Sequence, residues 1–472
     1  MTSAGRWTGL LAFTCMLLLP APASMAEPAW RVAAVAALMA IWWFSEAVPT
    51  PITALLPFLL LPVLGGADPA EVAQSYMSPI IFLLLGSALL AAAVEKVGLH
   101  RHIAVRLARR ASSSPDAILL AMMAATAVVA VFASDTATVM VMMPVAASTI
   151  AAVARSSGVS DDDPRVAVYA KAFVIGLAYA AALGGFALLI ASPSNAVAAG
   201  LIERFAGIEV SFVTWAAFGL PVTLIGVPLA WAILVKLTFR HGLPAASTGG
   251  SAAAFEAPHL DGASRRVSAV LVAAMIAWLA MPLIEDRLPR ASDAAVAVLA
   301  GLSLFLIPTA GRGSARLLEW KDTSGVPWGV LLLVGGGLAL ADGLTATGLS
   351  GWAGAQFARF ADWPAPVLLL VGVAIVVVVT EFASNIATTA FAVPAFIALA
   401  AASGGDPLSY GMIAALAAKW AFAVPAGAPW LAVALASPYV RMRDMIRVGV
   451  WMDLVGVGLL IGIGLLAIRV VQ

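Results

Sequence analysis

Long apolar runs separated by short polar stretches set the pattern of this chain. The runs cover approximately residues 7–24, 30–48, 51–65, 78–98, 115–154, 166–200, 211–239, 267–284, 291–308, 327–345, 363–402, 408–437 and 446–470. They are long and do not alternate with a period of two, so they predict helices rather than barrel strands. The two longest runs are about twice the roughly 20 residues of a single crossing. These are 115–154 and 363–402, and each carries a polar cluster in its middle. The first reads FASDTATVMVMMP (132–144), with Ser134, Asp135 and Thr136; the second reads FASNIATTAFAVP (382–394), with Ser384, Asn385, Thr388 and Thr389. A helical hairpin that enters and leaves on one side fits such a run better than a through-span. Irregular backbone at membrane depth is tolerated only where protein or a water-filled cavity surrounds it. The expected fold is therefore all-α and membrane-integral, with about 11 transmembrane helices and two re-entrant hairpins.

Composition agrees. The 472 residues are 62% hydrophobic and 11% charged, with a mean hydropathy of +1.01. A soluble domain runs near half apolar and a quarter charged. A net charge of +1 suggests no nucleic-acid partner. The single cysteine, Cys15, excludes a disulfide framework and a cysteine metal site. His100, His102, His241 and His259 all fall in polar connecting stretches, so no buried histidine relay is expected. No His/Cys/carboxylate cluster has catalytic spacing, which speaks against an enzyme and a resident cofactor. The absence of a sizeable soluble domain speaks against a membrane sensor. Residues 1–28 read either as a first transmembrane segment or as a signal-like leader.

The two halves repeat with an offset of 250: Ser134 with Ser384, Asp135 with Asn385, Gly86 with Gly336, VEKVGLH (94–100) with LTATGLS (344–350). The first repeat is expected over 29–240, with its hairpin at 115–154 and a broken helix at 166–200. A Gly-, Ala-, Ser- and Pro-rich cytoplasmic linker, 241–266, separates it from the second, 267–472, with hairpin 363–402 and broken helix 408–437. Each repeat holds an odd number of elements, so the two must be inverted in the membrane. Inverted repeats with broken helices meeting at the midplane mark secondary transporters. The basic groups Arg101–Arg110, Lys236–Arg266, Arg312–Lys321 and Arg441–Arg447 then fall on the cytoplasmic side. Acidic or mixed loops, including Glu285 and Asp286, fall opposite. The stretch Arg101–Arg110 is expected to lie along the cytoplasmic interface. A bacterial-type inner membrane is the expected location.

A hairpin tip exposes backbone amides, which favour an anion, and carbonyls with hydroxyls, which favour Na⁺. Ser134, Asp135 and Thr136 have the chemistry for both in the first half, Ser384 and Asn385 in the second. Pro193, in LIASPSNAVAAG (189–200), and Pro429, in VPAGAPWLAVALA (424–436), interrupt the spans that follow the hairpins. Their broken ends would complete an ion site beside each tip.

WWFSEAVPTPITALLPFLLLPVLGG (42–66), EKVGLHRHIAV (95–105), GLAYAAALGG (176–185), WGVLLLVGGGLALADGLTATGL (328–349) and the two tips together resemble the divalent anion/sodium symporter (DASS) family, from about Trp30 to the end of the chain. The resemblance implies an elevator mechanism in a homodimer, in which hairpins and broken helices carry the substrate against a fixed scaffold. It implies two Na⁺ sites, one at Ser134, Asp135 and the backbone near Ala191, the other at Thr380, Ala383, Asn385 and the backbone near Gly427. It places a small anionic substrate near Asp135, Thr136, Ser192, Pro193, Asn195, Ser384, Asn385 and Pro429.

Four departures from the family pattern change the picture. Asp135 stands where the family has Asn, and an ionised carboxylate repels an anion unless Na⁺ or H⁺ neutralises it. Ile386 replaces a Thr. Ala428-Pro429-Trp430-Leu431 replaces Thr-Pro-Pro-Asn, whereas Ser192-Pro193-Ser194-Asn195 keeps more of it. The second half thus favours an anion with one charged head and a smaller or more apolar tail. Finally, Lys419 lies inside a span, where it is costly. It either attracts the anion, stands in for a lost Na⁺ with H⁺ as a possible coupling ion, or snorkels from a helix end. Glu46 and Glu381 are each open to a structural or a ligand role, and Asp342 and Asp453 to capping or pairing. The leading function is Na⁺-coupled transport of a small carboxylate or sulfate-like anion. The alternatives are a Na⁺/H⁺ antiporter or an oxyanion efflux carrier, and, outside transport, a membrane sensor.

Overall fold

A computed structural model describes residues 2–471 except 23, 100–101, 103–105, 107–113, 161, 245–260, 285–286, 289, 310–314 and 358–362. The expectations for most of Arg101–Arg110, for Arg312, Glu285, Asp286, His100 and His259, and for most of the linker lie outside the described residues.

Apart from one isolated bridge between Pro308 and Arg316, the described residues form helices and loops. In the first half, α1 (Thr2–Leu18), α2 (Glu27–Ser45), α3 (Thr50–Thr53), α4 (Leu56–Val63), α5 (Pro69–Ser75) and α6 (Pro79–Lys96) precede α7 (Pro115–Ala130) and α8 (Asp135–Ser156). Then come α9 (Pro164–Gly184), α10 (Pro193–Ala206) and α11 (Phe212–Ala232). The second half runs α12 (Gly262–Ile284), α13 (Asp293–Leu306), α14 (Trp328–Ala346), α15 (Leu349–Phe357), α16 (Ala365–Phe382), α17 (Asn385–Ser403), α18 (Pro407–Lys419), α19 (Pro429–Leu435) and α20 (Met442–Val471). Ten helices among the described residues are long and apolar enough to cross a membrane.

The helix starts follow from local chemistry. Proline opens α7, α9, α10, α18 and α19, where its missing N–H costs nothing. Asp163 and Asp406 cap α9 and α18 by accepting from Arg165 N at 2.8 Å and Ser409 N at 2.6 Å. Pro193 and Pro429 therefore do not sit at the breaks, as the sequence suggested. Each starts the helix after a break, and the breaks themselves are residues 185–192 and 420–428.

Burial sorts the helices by depth. On α12, Val272, Ile276, Leu279 and Leu283 form one exposed stripe at helical spacing, a face suited to lipid. By contrast α18 is buried along its whole length, and α9 nearly so. A helix apolar all round belongs in the interior. These two innermost helices are the ones whose C-terminal ends open into the breaks, so the breaks lie deep inside the protein.

Candidate functional site

The run 115–154 bends at residues 131–134, and the run 363–402 at 383–384. At the first bend Ser134 is exposed, and its hydroxyl accepts from Ala137 N at 3.2 Å, capping α8. Asp135 is the next residue, not the cap. Its carboxylate is buried and faces inward to Lys419, whose Nζ donates to Asp135 Oδ2 at 2.9 Å. Lys419 is 1% exposed, so it does not snorkel. Its ammonium lies 5.3 Å from the centre of the Phe186 ring and 6.0 Å from that of Trp430. Such contacts stabilise a desolvated cation. Gly185 closes the pocket: a methyl there would overlap Lys419 Nζ and come within 2.5 Å of Asp135 Oδ1. That second carboxylate oxygen is buried and has no hydrogen-bond partner, as is the hydroxyl of Thr138 one turn on.

The break after α9 is held by Asn195. Its side-chain amide donates to Gly185 O and Leu188 O, both at 2.9 Å. Ser192 and Ser194 hydroxyls share a bond of 3.0 Å. Ala191 and Pro193 lie in and just after this break. They join Ser134 and Ala137 in lining a cavity of about 440 Å³, which runs along α6 to Lys96 and Asp322. Those two pair at 2.6 Å, and the Lys96 ammonium holds the Asp322 carboxyl below its usual range. This cavity touches the first tip and none of the second.

The second tip is built differently. The Thr380 hydroxyl donates to Asn385 Oδ1 at 2.9 Å and is also within bonding distance of Ala418 O. A methyl on Gly427 would overlap the carbonyl oxygens of Thr380 and Ala383. Two carbonyl oxygens thus stand beside a residue with no side chain, while the Asn385 amide oxygen accepts from the Thr380 hydroxyl. Oxygen donors of this kind suit a hard cation such as Na⁺. Ser384 is half-buried at the tip and Pro429 is exposed at the mouth of the break. Trp430 and Leu431 are buried where the family pattern has Pro and Asn, and the Trp430 Nε1 has no partner.

Glu381 has a role that the sequence left open. Its carboxylate accepts from the backbone N–H of Phe422 at 2.6 Å, Ala423 at 2.9 Å and Val424 at 2.6 Å. It therefore takes up the polar backbone of the second break, and Asp453 of α20 lies beside it. Hydrogen bonds to a charged group contribute roughly 1.5–3 kcal/mol each. Glu381→Ala is expected to lose several kcal/mol of stability, and Glu381→Gln less, since one oxygen still accepts. Thermal unfolding in detergent checks the order; an unchanged midpoint for the alanine variant contradicts it.

The remaining charged residues singled out in the sequence have other surroundings. Asp342 accepts from Ser75 Oγ at 2.6 Å and lies 3.3 Å from Arg204. Glu46 ends α2 in the left-handed conformation, φ 48°. His241 lies in a connecting stretch, as expected, and is buried there; its Nε2 lies 2.7 Å from Asp116, which also pairs with Lys236. No group of three or more His, Cys, Asp or Glu among the described residues has metal-binding geometry.

Neither the Asp135–Lys419 pair nor the closing role of Gly185 was read from the sequence. The available signal was that two ionisable residues inside spans tend to pair with one another.

Comparison with known proteins gives a consistent picture. A family model described as the sodium:sulfate symporter transmembrane region matches residues 3–471. The sodium-dependent dicarboxylate transporter SdcS of Staphylococcus saprophyticus is 31% identical over 460 residues, covering 96% of this chain and 89% of the relative. The protein of the same name from Staphylococcus aureus is 31% identical over 465 residues, with the same coverage. Among solved structures, the YdaH transporter of Alcanivorax borkumensis superposes with a TM-score of 0.56 at 14% identity, over 94% of this chain and 98% of that one. At that identity the likeness is one of fold.

Proposed function

The chain belongs to the sodium:sulfate symporter family, and from that premise we propose that it moves a small anion across a membrane together with Na⁺. The observation that carries this reading is the oxygen cradle of the second tip, where the carbonyl oxygens of Thr380 and Ala383 meet beside Gly427 and the Thr380 hydroxyl bonds to Asn385. Na⁺ is held there as cargo. The SdcS relatives, named for sodium-dependent dicarboxylate transport, support a carboxylate as the anion.

The anion lies between the tips, against Thr136, Ser192, Pro193, Ser384 and Pro429. The N-termini of α8, α10 and α17 start in this region and favour negative charge. Asn195 positions the first break rather than touching the anion, because its amide donors are taken by Gly185 and Leu188. Ile386, Trp430 and Leu431 make the second end apolar, which suits an anion with one charged head.

The two runs act as re-entrant hairpins within inverted repeats, 29–240 and 267–472. Hairpins and broken helices move as one body against the remaining helices, in a homodimer in a bacterial plasma membrane. Burial supports this division: α9 and α18 are interior, whereas α12 faces outward.

The test is uptake of radiolabelled succinate, and of a monocarboxylate, into proteoliposomes under an inward Na⁺ gradient or a matched choline gradient. Na⁺-dependent uptake of at least one is expected, with the monocarboxylate taken up better. Proton movement driven by Na⁺ without any anion would replace this reading with antiport.

A further inference from the structure

The two tips differ in what they offer a cation. At the second, the carbonyl oxygens of Thr380 and Ala383 stand together beside Gly427, and the Asn385 amide oxygen accepts from the Thr380 hydroxyl. At the first, a carboxylate and an ammonium stand together instead. Gly185 O and Leu188 O accept from Asn195, and Asp135 Oδ2 accepts from Lys419. The Lys419 ammonium, between the carboxylate and two aromatic rings, sits where a positive charge is called for and is fully desolvated.

We propose that Lys419 is a built-in cation that takes the place of one Na⁺, so that each chain binds a single Na⁺, at the second tip. The proposal rests on the Na⁺-coupled reading above and goes beyond it by setting the stoichiometry. The Asp135 carboxylate and the Lys419 ammonium cancel, and the first tip carries no net charge. One Na⁺ then balances one carboxylate. This matches the apolar character of Ile386, Trp430 and Leu431, which leaves no partner for a second anionic head.

The geometry also states what happens when the ammonium is removed. In Lys419→Met the Asp135 carboxylate stays buried, now without a counter-charge. A buried charge without a partner recruits a cation or becomes protonated, so Na⁺ is counted at alkaline pH, where protonation is disfavoured. Asp135 Oδ1 is already free to take part.

The test is equilibrium binding of radioactive Na⁺ to the purified protein, with no anion and no transport required. Wild type is expected to bind one Na⁺ per chain, Gly427→Ala none, and Lys419→Met two. The double variant Asp135→Asn/Lys419→Met removes both charges and is expected to bind one. Two Na⁺ on wild type would overturn the proposal and leave the Na⁺-coupled reading standing. No Na⁺ on wild type would overturn both. A single Na⁺ on a monodisperse Lys419→Met would show that the ammonium does not hold a cation's place. Should that variant fail to fold, the wild-type count still decides between one site and two.

Discussion

Gly427→Ala is expected to abolish Na⁺-driven uptake while leaving the protein folded. The added methyl would overlap the Thr380 and Ala383 carbonyl oxygens, which form the wall of the second cradle. It has only two ways out. Either it fills the space a cation would take, or it pushes the break away from α16 and pulls the oxygens apart. Both remove the cage that Na⁺ needs. Both clashing atoms are backbone, so the cost in stability is at or above the usual overpacking range of about 1–3 kcal/mol. Gly458→Ala, on α20, is the control, because nothing lies within 4 Å of its added methyl. Uptake in proteoliposomes, with size-exclusion profiles for both variants, checks the expectation. Near-normal Na⁺-driven uptake by Gly427→Ala would remove the second cradle from the transport cycle.

Lys419→Met is expected to be the most destabilising of the conservative changes at the site. Methionine matches lysine in length and leaves the packing against Phe186 and Trp430 nearly intact. What it removes is the partner of a buried carboxylate. Breaking a buried pair by deleting one member costs roughly 3–5 kcal/mol, because the other charge is left uncompensated. The loss is thus set by Asp135 rather than by the lost contact. Asp135→Asn/Lys419→Met follows as the diagnostic partner: with both charges gone, most of the stability is expected to return, since a neutral pair of similar volume is about as good as the ion pair. Thermal unfolding of the two variants in a Na⁺-free buffer measures the difference. Equal midpoints for single and double variants would mean that the buried ion pair is not what holds this region together.

How much of this could be read in advance differs between the two tips. Ser134, Asp135, Ser384 and Asn385 stand out in the chain because polar residues in an apolar run are conspicuous, and the structure puts each of them at a bend. The oxygen set Thr380, Ala383, Asn385 and Gly427 was expected from resemblance; the structure brings the Thr380 and Ala383 carbonyls against Gly427 and bonds Thr380 to Asn385. Ala191 was expected with Ser134 and Asp135, and it lines the cavity along α6 together with Ser134. Pro193 and Pro429 marked the breaks but were misplaced by a few residues. A proline reads in sequence as a helix breaker, yet at a first helical position it is a helix starter.

The sequence by itself determined the class of protein, the helical character of its runs, the location of its two bends and the residues at their tips. Those follow from hydropathy, length and local backbone preference, all properties of short windows. Only the tertiary structure decided what the buried charges do. Lys419 and Asp135 are 284 residues apart. Glu381 reaches amides 41 to 43 residues away. Whether a lysine in a span snorkels, attracts an anion or closes on a carboxylate depends on what the other helices bring to its ammonium. Local patterns cannot report that, because a buried charge is stabilised by its three-dimensional surroundings and not by its neighbours in the chain.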